Sequence, residues 1–217
     1  MVEASRLSQA FEFADWLHKK QFRKQAEGEP ESLRVAYMTH LAEVMAIVMQ
    51  GHGDEDQQIA GLLHDALEDQ PVTPDGRNTE EVIRERFGER VLGLVLACTD
   101  GVPDTNGVKP PWRERKASHI AHMREHAATN PDFLIVSISD KISNSLAIVN
   151  DVLNHGPRVW NRFNASAEYI CWYYGEMLSV FADTLGADHH LVKRLDRQVK
   201  ILQELATDTE QSVLSKG

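Results

Sequence analysis

The stretch PDFLIVSISDKISNSLAIVND, residues 131–151, decides the fold class. Taken alone, the run from Phe133 to Val136 suits a buried strand. Beyond it, Ile135, Ile138, Ile142, Leu146 and Val149 recur at three- and four-residue spacing, and the pattern runs too far for a strand. Length and period together predict a helix. Asp140 stands in the middle of it, a carboxylate in the most apolar helix of the chain.

Outward from this segment the same period repeats. Residues 5–25 carry Leu7, Ala10, Phe11, Ala14 and Leu17 at helical spacing, and residues 38–50 form a second helix stopped by Gly51 and Gly53. Residues 55–68 form a third, with Ile59, Leu62, Leu63, Ala66 and Leu67 on one face. Asn78 reads as an N-cap with Glu81 three residues on, and Gly88 as the break after that helix. Helices are expected over 89–99, 113–128, 158–184 and 188–207, a loop over 100–111, and a frayed polar tail over 208–217. No alternating strand pair, repeat or linker is visible. The expectation is one all-α domain over residues 1–207.

With 217 residues and 42 % apolar content, the chain can bury a substantial core. The formal net charge of −10 argues against general binding to nucleic acid or an anionic membrane, but leaves room for a small anionic ligand. Cys98 and Cys171 have neither zinc-type nor redox-type spacing. Without a signal peptide or long apolar span, the expected setting is the cytoplasm. Homo-oligomerisation is left open.

AGLLHDALEDQ, residues 60–70, poses the chemical question. His64, Asp65, Glu68 and Asp69 interrupt an apolar helix, where burying charge is costly unless it is paired or bound to metal. Helical spacing puts Glu68 near His64 and Asp65, and Asp69 near Asp65. An adjacent His–Asp pair can give one nitrogen and one oxygen to a single cation. His40, in AYMTHLAEV, and Asp140 are further polar groups on apolar helices, and a shared metal explains all four. Each has an ordinary reading alone: a core histidine, a solvated helix end, a surface carboxylate. The remaining histidines, His52, His119, His122, His126, His155, His189 and His190, read as surface or capping residues.

The ordered set Tyr37 with His40, Leu62 to Asp69, Phe87–Gly88 with Thr99–Asp100, and Asp140 with Asn144 resembles the HD-domain superfamily. Within it, the chain is most similar to the alarmone hydrolase domain of RelA/SpoT-type proteins and to the stand-alone small alarmone hydrolases. The resemblance covers roughly residues 10 to 150. It implies His40, His64, Asp65 and Asp140 as metal ligands, Glu68 and Asp69 as the catalytic acidic pair, and Asn144 as a substrate contact. Through His18 and Gln21 in HKKQFRK it also implies Arg23 and Lys24 at the substrate; their ordinary reading is a basic helix end.

Two imidazoles and two carboxylates make a donor set of intermediate hardness. The resemblance favours manganese(II), with other divalent metals open. The implied reaction removes the 3′-pyrophosphate of (p)ppGpp, or of an adenine analogue such as (p)ppApp, leaving pyrophosphate and GDP/GTP or ADP/ATP. Lys141 and Arg113 to Lys116 can add charge near the phosphates, although surface helix charge is the simpler reading of the latter. Trp160, Trp172, Tyr173 and Tyr174 read as core. Leu41 replaces the family's proline, and residues 31–36 are an addition beside the expected base site, so base preference stays open. Two alternatives are an HD phosphatase of ordinary (deoxy)nucleotides and a non-catalytic nucleotide sensor.

Overall fold

The computed structural model describes residues 4–25, 30–99 and 111–214. In chain order the helices are α1 (Arg6–His18), α2 (Met38–Gln50), α3 (Glu55–Leu63), α4 (Ala66–Asp69) and α5 (Thr79–Phe87). They continue with α6 (Glu89–Cys98), α7 (Trp112–Thr129), α8 (Leu134–His155), α9 (Ala167–Leu185) and α10 (His190–Leu214). Extended pairing among the described residues is limited to two isolated bridges, so the fold is all-α.

The segment read first becomes α8, and it is central. It packs against α2, α3, α6, α9 and α10. Leu134, Val136, Ile138, Ile142, Ile148, Val149 and Val152 are buried along it. Burying one such side chain contributes about 1.5–3 kcal/mol relative to exposure. Around α8, α1 packs on α3 and α2, α5 on α6, and α7 on α9. Gly61 allows the close approach of α3 to α2, where an added Cβ would meet Met45 Cα at 3.2 Å.

Local chemistry sets the helix ends. Asp54 and Gln57 form a reciprocal capping box at the start of α3. Asn78 accepts from the Glu81 amide at 3.1 Å, as its position predicts, and Gly88 ends α5 with φ at 92°.

Four expected boundaries need correction. The first helix ends at His18, not residue 25, because the chain turns extended and Phe22 pairs with Ala36. Arg23 and Lys24 are therefore not a helix end. The helix expected over 55–68 breaks at His64–Asp65, so Glu68 and Asp69 do not share one continuous helical face with His64. The expected 158–184 helix is a 3-10 segment, Pro157–Arg162, followed by α9. α10 continues to Leu214, past the expected end at 207. The loop read over 100–111 lies, apart from Pro111, outside the described residues, as does Asp100.

Candidate metal centre

α2 supplies His40, the α3–α4 junction supplies His64 and Asp65, and α8 supplies Asp140. The three elements bring these residues together. His40, His64 and Asp65 present ligand-type atoms that lie within 4.8 Å of one another. Asp140 Oδ1 lies 3.3 Å from His40 Nε2 and 3.6 Å from His64 Nε2. Asp65 Oδ2 lies 3.0 Å from His64 Nε2 and 3.6 Å from His40 Nε2.

The far nitrogens of both rings are already committed. His64 Nδ1 donates to the Gly61 carbonyl at 2.9 Å, and His40 Nδ1 meets Ser143 Oγ at 2.9 Å. A neutral imidazole that donates through one nitrogen carries a lone pair on the other. His64 Nε2 is buried and makes no hydrogen bond of acceptable angle despite its approach to Asp65. A buried, unpartnered ring nitrogen beside two carboxylates is the donor chemistry of a divalent-cation site, and the residues fit one.

Electrostatics show how much negative charge surrounds the rings: whenever no cation is bound, a proton on His64 takes the place a cation would fill. Burial alone would lower the His64 pKa, but the Asp65 and Asp140 carboxylates outweigh it and hold the value well above that of a free imidazole. Burial opposes ionisation of Asp65 and Asp140, yet His64 and Lys141 respectively lead the contacts that hold them well below the usual carboxylate range. Two ionised carboxylates in a buried cluster demand positive charge.

Surrounding side chains fix these groups. Tyr37 donates its phenolic proton to Asp65 Oδ2 at 2.5 Å; burial first, then the nearby carboxylates, push its pKa far up. Lys141 Nζ lies 2.6 Å from Asp140 Oδ2. Asn144 donates to Asp140 Oδ1 and accepts from Arg23 Nη1 at 3.0 Å, so the basic segment is joined to the cluster through one amide. Gln21 donates to Asp69 Oδ2 at 2.7 Å while its carbonyl oxygen faces His18 Nδ1 at 2.8 Å.

A cavity of about 510 Å³ opens beside the cluster, lined among others by Tyr37, Asp69, Asn144, Trp112, Tyr173 and Tyr174. Among the described residues, Arg23, Lys24, Lys116, Lys141 and Arg162 line it against two carboxylates, Asp69 and Asp151, a balance that favours an anionic ligand. A smaller space of about 300 Å³ shares Arg23 and Lys24 and reaches His40 and Glu43. Glu68 is exposed on α4 and lines neither cavity.

Some ordinary readings give way here. Lys116 is not plain surface charge, since it lines the cavity with Nζ 4.9 Å from the Tyr173 ring centroid. His119 is buried, not a surface residue. Trp160, Tyr173 and Tyr174 are buried as expected of core residues, although both tyrosines also face the cavity. Arg162 and Asp151 escaped the sequence reading of the site, and Gln21 was named there only as part of the pattern that leads to Arg23 and Lys24. Arg162 lies beyond the motif-bearing segments, and Asp151, two turns after Asn144 on α8, belongs to no motif.

The HD domain family model matches residues 10–167. A guanosine-3′,5′-bis(diphosphate) 3′-pyrophosphohydrolase of Aquifex aeolicus is 33 % identical over 141 residues, 65 % of this chain. The chain spans only 17 % of that relative's length. The human protein MESH1, of the same enzyme name, is 29 % identical over 172 residues, covering 78 % of this chain and 82 % of the relative. Among solved structures, a metazoan SpoT orthologue that hydrolyses ppGpp superposes with a TM-score of 0.62 at 22 % identity, covering 92 % of this chain and 97 % of the other. A Listeria monocytogenes protein superposes with a TM-score of 0.60 at 26 % identity over 74 % of this chain and 96 % of the other. At these identities the first superposition speaks for the fold.

Proposed function

The chain belongs to the HD domain family, and on that premise we propose that it is a metal-dependent hydrolase that removes the 3′-pyrophosphate of guanosine 3′,5′-bis(diphosphate) or its adenine counterpart. The products are pyrophosphate and a nucleoside 5′-diphosphate, or a 5′-triphosphate when the substrate carries three phosphates at the 5′ position. The observation that carries this reading is the joining of a buried His/Asp cluster to a cavity lined by five basic side chains. The names of the bacterial and human relatives support the substrate class.

In this reading His40, His64, Asp65 and Asp140 hold the cation, with manganese(II) the expected ion. The cation supplies Lewis-acid polarisation of a phosphoryl oxygen and acidifies water. Tyr37 and Lys141 keep the two carboxylates ionised and oriented. Asp69, held by Gln21, takes the proton of the attacking water, with Glu68 assisting from the same turn. Water attacks the phosphorus attached to O3′, the O3′–P bond breaks, and the proton passes to O3′. Arg23 and Lys24 bind phosphate, and Asn144 orients both Arg23 and Asp140. No helix among the described residues is long and apolar enough to cross a membrane. Cys98 and Cys171 form no disulfide among the described residues, which fits a cytoplasmic setting.

A substrate panel with manganese(II) tests the proposal, comparing guanine and adenine 3′,5′-bis(diphosphates) with dGTP and GMP. Pyrophosphate release from one or both bis(diphosphates), with dGTP and GMP left intact, is expected. Faster turnover of dGTP or GMP would make the chain an ordinary nucleotide phosphatase.

A further inference from the structure

One hydrogen-bonded chain beside the cluster runs from His40 through Ser143 to Glu43, which lines the smaller space with Arg23 and Lys24. Ser143 lies one turn after Asp140 on α8, and Glu43 one turn after His40 on α2. Ser143 Oγ donates to Glu43 Oε2 at 2.6 Å, and the same oxygen lies 2.9 Å from His40 Nδ1. His40 and Ser143 are 3 % and 1 % exposed, which leaves little room for water to replace either partner.

A hydroxyl has one proton, and an ionised carboxylate can only accept. The Ser143 proton therefore goes to Glu43, and toward His40 the hydroxyl can only accept. His40 must then carry its proton on Nδ1, with the Nε2 lone pair turned toward Asp65 and Asp140. Without Glu43, the hydroxyl is free to rotate and donate to Nδ1. That would place the ring proton on Nε2 and block it as a ligand. His64 achieves the same tautomer through the Gly61 backbone carbonyl, which no side-chain substitution removes. His40 alone of the two depends on a side-chain relay.

We propose that Glu43 and Ser143 are a positioning pair that fixes the His40 tautomer and thereby sets the metal affinity of the cluster. The proposal rests on the reading of His40 as a metal ligand. It assigns Glu43 no contact with metal or substrate.

Manganese(II) titration of the purified full chain, together with thermal melts with and without manganese(II), tests it. Ser143→Ala and Glu43→Ala should each weaken manganese binding roughly tenfold to a hundredfold, the scale seen when a partner of a metal-binding histidine is lost. Their manganese-induced rise in Tm should shrink accordingly. Ser143→Thr keeps the hydroxyl and should bind within about threefold of wild type. Glu43 is half-buried, so Glu43→Ala decides the question if Ser143→Ala fails to fold. Wild-type manganese affinity in Glu43→Ala would overturn the relay. So would equal loss of metal-free Tm in Ser143→Ala and Ser143→Thr with unchanged affinity, which would make the pair a packing contact. A wild-type chain that binds no manganese would instead overturn the ligand reading beneath it.

Discussion

Asp140 shows what a single residue reveals. A carboxylate on an apolar helix is costly unless compensated, so its position alone made it a candidate. In the structure it is 8 % exposed and meets His40, His64, Lys141 and Asn144. His40 was legible for the same reason. Glu43 and Ser143 were not, because nothing in a one-dimensional pattern says which serine or carboxylate meets an imidazole across two helices. Replacing Asp140 with Ala is expected to abolish metal binding and turnover while far-UV circular dichroism stays helical; metal content and rate measured on one preparation check it. The acidic pair separates by geometry. Asp69 lines the cavity and takes Gln21, whereas Glu68 lines neither cavity. Asp69→Asn should therefore keep its metal and lose at least about a hundredfold in kcat, the usual scale of lost acid–base assistance. Glu68→Gln should lose less, and kinetics that reverse this order would transfer the principal role to Glu68.

At the scale of elements, periodicity located the helices but not their interruptions. The 55–68 pattern is continuous in hydrophobicity, yet α3 stops at Leu63 and Asp65 takes φ −95° and ψ −1°. That break is part of the site, because His64 bonds to Gly61 and turns Nε2 inward. Propensity carries no signal for a break that tertiary contacts of His64 and Asp65 accompany. The added segment 31–36 likewise proves to be more than an appended loop. Arg23 donates its amide to Val35 O at 2.9 Å, and Tyr37 donates to Gln21 O at 3.0 Å, so the segment holds the basic residues in place. Deleting residues 31–36 should raise KM and change the guanine-to-adenine ratio of kcat/KM, with manganese affinity altered far less. An unchanged ratio in a folded deletion variant would place base selection elsewhere. The Asp54 capping box predicts a stability effect. Asp54→Ala removes the cap and the ion pair with Arg90 at 2.7 Å, and should cost about 1–2 kcal/mol in denaturant unfolding.

Over the whole molecule, the net charge and the local charge have opposite signs. The chain carries −10 overall, but its larger cavity gathers five basic side chains from α8 itself and from segments before and after it. Composition left room for a small anionic ligand without locating this concentration, since Arg23 and Arg162 lie far apart in the chain and meet only through the fold. The same fold places the cavity against the His/Asp cluster, so the proposed anionic nucleotide and cation would meet at one place. The most direct measurement of that claim is product analysis by anion exchange after incubating guanosine 3′,5′-bis(diphosphate) with the metal-stripped chain, then with the chain resupplied with manganese(II). The account predicts no reaction in the first case and equimolar pyrophosphate and GDP in the second. Equal turnover without metal, or release of orthophosphate in place of pyrophosphate, would contradict it.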